Sequence, residues 1–348
     1  MNSSISHIVF LTPGFAVSEN DSVTIPALQV YLMALRKALP QAKLTLIPFQ
    51  YPFTNKKYNW NGIDVIPLNG CNKKSRKIAT WYTSYKLLQK IHLETPFTVI
   101  HSFWIGECSL IGQLFARQKN ISHIVTAMGQ DVFKNSYIKF IHEKHSKVVT
   151  LSKHHQSELY KNYGLKSEII PWGIDTDSFP KIKDAKIDIL GVGSLNSIKN
   201  YPFFIDVIKK VVEKRPDLNV EIIGSGNESS KIRSLIKSHN LNEHITLTGE
   251  LSRDSVLQKM SMSKILLHTS KYESFGYVFS EALYSGMRIV SFDVGVSQKL
   301  PEWKVCNSEE SFVANCLNLL SNENPERKRV LLYDTDFTLK AYLTLYHE

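Results

Sequence analysis

Apolar positions along this chain change period repeatedly. Short, nearly unbroken apolar runs such as Ile8-Val-Phe-Leu11 and Val99-Ile100 alternate with segments whose apolar residues recur every third or fourth position. The first pattern suits strands buried on both faces of a sheet, and the second suits amphipathic helices. Strands are expected over 7–12, 43–48, 97–102, 123–127 and 147–151. Between them lie helices over 25–39, with Leu28, Leu32 and Leu35 on one face, and over 78–94, 110–118 and 156–163. A polar, Lys- and Asp-rich stretch follows, and the alternation restarts. Strands are expected over 187–193, 218–224, 245–249 and 264–269, and helices over 201–214, 232–239, 255–262 and 275–284. Gly286 stops the last of these before a further apolar strand.

Regular strand–helix alternation predicts the α/β class, with parallel sheets covered by helices on both faces. The organisation read from it is an N-terminal Rossmann-like domain over 1–170, a junction over 171–186, and a second doubly wound Rossmann-like domain over 187–333, with 334–348 as a C-terminal helix. Two such domains facing a cleft place ligands beyond the carboxyl ends of their strands.

Composition narrows this picture. A length of 348 residues accords with two domains, and 43% hydrophobic with 21% charged residues is an ordinary soluble balance. No run approaches the roughly 20 apolar residues of a membrane span. The first residues read as a strand rather than a signal peptide, because no basic region precedes them and the apolar run is short. Cys71, Cys108, Cys306 and Cys316 show no C-x-x-C spacing and read as reduced thiols of a cytoplasmic protein. The net charge of +10 concentrates early, at Lys56, Lys57, Lys73, Lys74, Arg76, Lys77 and Lys86, beside Trp81, Tyr82 and Tyr85. The basic region Lys73–Lys86 suits peripheral contact with an anionic membrane surface; the alternative is a solvated helix face whose aromatics point into the core. No zinc-finger spacing or RNA-binding aromatic motif accompanies the charge, so nucleic acid is not an expected partner.

The candidate chemistry centres on Glu273 and Glu281. Glu273 precedes Ser274-Phe275-Gly276, a turn into a helix whose first amides, of Phe275, Gly276 and Tyr277, favour an anion together with the helix dipole. Glu281 lies further along that helix. Two hydroxyl-binding acids bracketing a phosphate site suit a nucleotide-sugar donor; the alternative is a capping Glu273 and a surface Glu281.

Glu273, Phe275, Gly276, Glu281, Ala282, Gly286, Ile289 and Val290 together resemble the E-x7-E hallmark of the retaining GT-B glycosyltransferases of family 4, with Arg288 where the family has Pro. The resemblance implies that Glu273 contacts donor-sugar hydroxyls and Glu281 the ribose. It further implies that Lys199, following Gly193-Ser194, contacts the diphosphate, with Ser194 standing where the family has Arg, and that Gly249 and Glu250 hold the base. Ala127-Met128-Gly129-Gln130-Asp131 is similar to the family's H-G-x-D, with Met128 replacing His, which makes Gly129, Gln130 and Asp131 cleft candidates. Ile170-Pro-Trp-Gly-Ile-Asp175 is similar to the family's domain junction. The family's layout puts the donor in the second domain, the acceptor in the first, and returns the last helix, here 334–348, to the first.

Two further candidates come from the residues themselves. Gly14 follows the first strand and lets an acceptor near the backbone, and His101 ends the third parallel strand. Asp175-Thr-Asp177 and Asp334-Thr-Asp336 do not follow strands of a nucleotide domain, so neither metal nor other cofactor is expected. Walker, G-x-S-x-G and zinc-ligand patterns are absent from the sequence. The expectation is therefore a retaining glycosyltransferase that moves a sugar from a nucleotide-diphosphate donor to a hydroxyl of a glycan or lipid-linked glycan, in polysaccharide, lipopolysaccharide or glycolipid assembly. The rival readings are a nucleotide-sugar hydrolase or phosphorylase on the same fold, and a basic binding protein with a vestigial site.

Overall fold

The computed structural model describes residues 5–321 and 326–348. They divide into two units: unit 1 runs to Gly173 and also includes Thr335–Glu348, and unit 2 is Ile174–Asp334.

Unit 1 contains β1 (His7–Gly14), α1 (Pro26–Ala38), β2 (Lys43–Tyr51), β3 (Tyr58–Trp60), β4 (Ile63–Val65), α2 (Lys77–Glu94), β5 (Val99–Phe103), α3 (Glu107–Lys119), β6 (Ser122–Thr126), β7 (Lys147–Thr150), α4 (Lys153–Tyr163), β8 (Glu168–Ile169) and α10 (Thr335–His347). Its sheet has the order β3-β4-β2-β1-β5-β6-β7-β8, parallel except for the β3–β4 pair. That pair is a hairpin with Asn61-Gly62 at its tip, both at positive φ, the geometry that right-handed strand twist favours in a two-residue turn. The core on one face joins Val9, Leu11, Ile47, Phe49 and Ile100 to Leu88 of α2 and Phe115 of α3. α10 packs beside α1, where the Tyr31 and Tyr346 hydroxyls lie 2.6 Å apart. On α2, Tyr82 and Ile78 point to solvent. Trp81 and Tyr85 turn inward, Trp81 donating to Glu107 at 2.8 Å and Tyr85 stacking edge-on against Phe115.

Unit 2 contains β9 (Ile187–Val192), α5 (Tyr201–Val212), β10 (Val220–Ile223), α6 (Ser229–Ser238), β11 (Ile245–Gly249), α7 (Arg253–Ser261), β12 (Ser263–His268), α8 (Tyr277–Tyr284), β13 (Arg288–Ser291), β14 (Trp303–Val305) and α9 (Glu309–Ser321). Its strands are all parallel, in the order β11-β10-β9-β12-β13-β14. This is the doubly wound order 3-2-1-4-5-6, whose reversal lies between β9 and β12. α5 buries Phe204, Ile205, Ile208 and Val211, a stripe at three- and four-residue spacing, against Ile189, Ile222, Ile265 and Phe312. α9 is capped by Ser308, whose hydroxyl accepts from the Ser311 amide while the Ser311 hydroxyl accepts from the Ser308 amide.

Parallel strands leave their carboxyl ends exposed only through the loops that follow them. In each unit the loops on either side of the order reversal diverge and leave a crevice. In unit 2 these loops follow β9 and β12. In unit 1 they follow β1 and β5.

Candidate active site

The loop after β9 carries Gly193, Ser194 and Lys199. Gly193 has φ +146°, where an L side chain is strained. A Cβ on Gly193 would lie 3.3 Å from Cε of Lys199, so the bare backbone gives the lysine stem room to pass. Neighbouring glycines make a tighter floor. A Cβ on Gly224 would fall 2.0 Å from the Gly193 carbonyl oxygen, and one on Gly226 2.3 Å from that of Leu195. The Asn196 side chain accepts from the amides of Ile198 and Lys199, each at 3.1 Å, and this fixes the turn that aims the lysine.

The loop after β12 carries Glu273 and is tied to the first. The Thr269 hydroxyl donates to the Lys199 carbonyl at 2.9 Å, and the Lys271 amide donates to the Ile198 carbonyl at 2.9 Å. Lys199 Nζ reaches Glu273 Oε1 at 2.5 Å, and His268 Nε2 meets the same oxygen at 2.9 Å. His268 is buried at the end of β12, its ring edge-on to Phe279. Burial alone pushes the Glu273 carboxyl up, but the Lys199 charge and the His268 hydrogen bond outweigh it and hold the pKa at about 2. Burial is also the largest influence on His268 and moves its pKa down. A fixed carboxylate with a lysine ammonium beside it, at a doubly wound reversal point, is equipped to meet sugar hydroxyls and an anion together.

The turn into α8 differs from expectation in one respect. The helix begins at Tyr277 rather than Phe275, because Gly276 is left-handed at φ +80° and a Cβ there would meet the Phe279 ring at 2.4 Å. Phe275 is buried, and its carbonyl accepts from the Val296 amide at 2.9 Å; Ser274 joins it to Glu273 in the same turn. At its other end α8 closes as the sequence suggests: the Gly286 amide bonds to Leu283 and the Met287 amide to Ala282, with Gly286 left-handed.

Glu281 is buried on α8, where its Oε1 accepts from Arg253 Nε at 3.1 Å. Arg253 opens α7 and lies over the Tyr277 ring. Burial outweighs the Arg253 charge and moves the Glu281 carboxyl up, opposite to Glu273. The surface alternative therefore fails for Glu281, and the capping alternative fails for Glu273, whose carboxylate binds side chains. Gly249 ends β11 at φ +76°, with nothing within 4 Å of an added Cβ. Exposed Glu250 accepts from the Ser225 hydroxyl at 3.1 Å.

In unit 1 two candidates are corrected. His101 lies inside β5, not at its end, and has no exposed surface. It bonds to the Tyr346 hydroxyl at 2.6 Å and to Thr126 Oγ1 at 2.8 Å, and burial drives its pKa well below the ordinary value. The ring is a core group that anchors α10. Asp131 accepts from the amides of Gly129 at 2.7 Å and Ile105 at 2.8 Å, so its carboxylate clamps the loop after β6 to the loop after β5 instead of facing a ligand. Gln130 is exposed and Gly129 extended, with open space at its Cα. Gly14 ends β1 against Tyr51, where an added Cβ makes ordinary contact at 3.4 Å.

His268 and Arg253 are the functional side chains that pattern reading missed. The available signals were weak: a histidine at a strand end five residues before Glu273, and an arginine at a helix start. Among the described residues no group of three or more His, Cys, Asp or Glu side chains converges to hold a metal, and no helix is long and apolar enough to cross a membrane.

The sequence pattern described as glycosyl transferases group 1 matches residues 175–330. An uncharacterized glycosyltransferase of Methanocaldococcus jannaschii is 27% identical over 230 residues, 64% of each chain. The gpi3 subunit of a phosphatidylinositol N-acetylglucosaminyltransferase of Schizosaccharomyces pombe is 26% identical over 46% of this chain and 37% of its own. The chain thus spans less than two thirds of the length of these relatives. Among solved structures, a sucrose-phosphate synthase from Thermosynechococcus elongatus superposes with a TM-score of 0.73 at 15% identity, covering 98% of this chain and 95% of that one. Anabaena HepE, solved with UDP and glucose, superposes at 0.71 with 14% identity, covering 97% and 98%. These two likenesses are of fold, which is that of the GT-B glycosyltransferases.

Proposed function

With residues 175–330 matching the glycosyl transferases group 1 pattern, we propose that the chain transfers a sugar from a nucleotide-diphosphate donor to a hydroxyl acceptor with retention of anomeric configuration. The observation that carries this reading is the Lys199–Glu273–His268 cluster at the reversal point of unit 2. When a donor binds, its diphosphate draws the Lys199 ammonium, and Glu273, kept ionised, accepts hydrogen bonds from the sugar's hydroxyls. Charge grows on the leaving phosphate oxygen as the glycosidic bond breaks, and Lys199 stabilises it there. The acceptor oxygen attacks from the same face, and the departing phosphate takes its proton. Glu281, oriented by Arg253, receives the ribose hydroxyls, while Gly249 and Glu250 flank the base. No metal enters the reaction. HepE's co-crystallised UDP and glucose support a nucleotide-sugar donor by analogy.

The acceptor is a glycan or lipid-linked glycan of polysaccharide, lipopolysaccharide or glycolipid assembly, met at the inner face of a membrane. In support, Ile78 and Tyr82 project from α2 beside Lys73, Lys74, Arg76 and Lys86. The first turn of α2 carries no acidic residue, so its basic charges sit against the positive end of the helix dipole, an arrangement that an anionic surface relieves.

The test is incubation with uridine-, guanosine- and adenosine-diphosphate sugars, with and without glycan acceptors, followed by NMR of the product's anomeric proton. A glycoside of the donor's configuration is expected. Free sugar formed equally with and without acceptor identifies a hydrolase, a sugar 1-phosphate identifies a phosphorylase, and absence of nucleotide binding returns the chain to a binding protein.

A further inference from the structure

The reversal point of unit 1 holds a hollow of about 290 Å³ that none of the functional assignments above uses. Pro13 lines it from the end of β1, Gln50 from the end of β2, Trp104 and Glu107 from the loop after β5 and the start of α3, and Asn135 and Tyr137 from the segment after β6. Four features set it apart from a packing defect. Its walls are largely apolar and aromatic, yet a carboxylate sits in them. That carboxylate is held on one side only: Glu107 Oε2 accepts from Trp81 Nε1 at 2.8 Å and Gln50 Nε2 at 3.2 Å, whereas Oε1 has Lys77 Nζ at 3.9 Å, too far for a hydrogen bond. The Tyr137 hydroxyl is buried with Lys77 as a polar neighbour: Nζ lies 4.9 Å from the ring centroid, and the hydroxyl helps to raise the lysine's pKa. Trp104 stands in the left-handed region at φ +66°, an unfavourable conformation for a bulky residue that persists only where its surroundings enforce it.

We propose that this hollow holds one uncharged pyranose ring of the acceptor, with its apolar face on the Trp104 and Tyr137 rings and its hydroxyls on Glu107 Oε1 and the Tyr137 oxygen. The class follows from the chemistry. A carboxylate oxygen with spare lone pairs binds hydroxyl donors, and flat aromatic walls bind C–H faces. Glu107 and Lys77 already balance each other, so an added carboxylate or phosphate would enter a largely apolar hollow without a counter-ion. The assignment rests on the glycosyltransferase reading, and it names the part of the acceptor that unit 1 recognises.

The test is saturation-transfer NMR on the full chain with methyl β-galactopyranoside, methyl β-glucopyranoside and glucuronate, alongside calorimetric titration of UDP. A neutral pyranoside is expected to bind with transfer strongest at its ring C–H protons, and glucuronate to bind at least about tenfold more weakly. Glu107→Gln and Tyr137→Phe should each weaken the pyranoside by roughly tenfold, the scale of a hydrogen bond to a charged or buried group, and leave UDP affinity unchanged. Trp104→Gly, whose backbone suits the left-handed region, removes the wall without backbone strain and should abolish the binding in a chain that still melts cooperatively. Pyranoside binding that is indifferent to all three variants, or stronger binding of glucuronate, overturns the assignment, as does failure of every neutral pyranoside to bind while transfer to glycans proceeds. Loss of UDP binding and donor turnover in the unaltered chain, with pyranoside binding intact, refutes the donor reading and leaves the hollow a sugar site. Octyl forms of the same pyranosides bind more tightly than the methyl forms for a lipid-linked acceptor and equally for a free glycan.

Discussion

The two sheets reverse strand order at equivalent places and furnish those places differently. In unit 2 the loops after β9 and β12, with the last residue of β12, bring together a lysine, a carboxylate and a histidine within hydrogen-bond reach. In unit 1 the end of β1, the loop after β5 with the start of α3, and the segment after β6 bring together aromatic rings and one carboxylate whose charge is already answered. The unit 1 groups that look chemical in the sequence, His101 and Asp131, are absorbed into packing and loop clamping. On the proposed reading, topology fixes where a ligand goes, and a handful of side chains fixes whether it is an anion or a neutral polyol.

The sharpest way to break this contrast is Lys199→Ala. If the unit 2 crevice works on a leaving diphosphate, turnover should fall roughly 10²–10³-fold, the usual effect of losing a group that stabilises developing charge, with a smaller change on Glu107→Gln at saturating acceptor. Steady-state rates with the active donor check both. Next in size is Gly224→Ala, where the new Cβ meets a backbone oxygen at 2.0 Å at φ +145°. A loss of about 3 kcal/mol or more is expected from urea melts. Gly14→Ala, its counterpart near the unit 1 crevice, should stay within about 0.5 kcal/mol, because its contact is ordinary.

Acid stability separates the charged crevice by sign. The Glu273 pKa falls from its ordinary 4.5 to about 2 on folding, so its contribution is full above 4.5 and is lost as pH drops from 4.5 towards 2. The contribution is on the order of 3 kcal/mol at most. Melts of the parent chain and Glu273→Gln should therefore converge as pH falls through that window; parallel curves would show that Lys199 does not hold the carboxylate. Two buried histidines give the finest discrimination. His268→Phe should weaken donor binding by about five- to tenfold and cost about 1–3 kcal/mol of stability, because buried Glu273 loses a hydrogen bond. His101→Phe should cost about 2 kcal/mol of stability and leave donor binding alone. Calorimetry and thermal melts on both variants decide it.

Much of this architecture was legible because buried parallel strands such as Ile187–Val192 and helices such as Tyr201–Val212 write their period directly into the chain. The β3–β4 hairpin was not read, although Asn61-Gly62 is a strong turn signal, because its strands are only three residues each. α9 escaped because its cap is a Ser308–Ser311 pair rather than the familiar Ser–Glu box. At the site, Glu273, Gly276 and Gly286 stood out through spacing and Lys199 through the family resemblance, but which side chains pair with the two glutamates did not. Arg253 reaches Glu281 across 28 residues and Lys199 reaches Glu273 across 74, and no local pattern encodes which side chains meet over such separations. His101 misled because a polar residue near a strand end looks the same in sequence whether it faces solvent or a neighbouring tyrosine.

The membership of α10 in unit 1 has a consequence for biosynthesis. Unit 2 is one continuous stretch of chain, whereas unit 1 needs Thr335–His347 to cover Tyr31, His101 and Thr126. A ribosome therefore releases all of unit 2 before unit 1 can seal, so the earlier-made half waits longest with part of its interior open to chaperones and proteases.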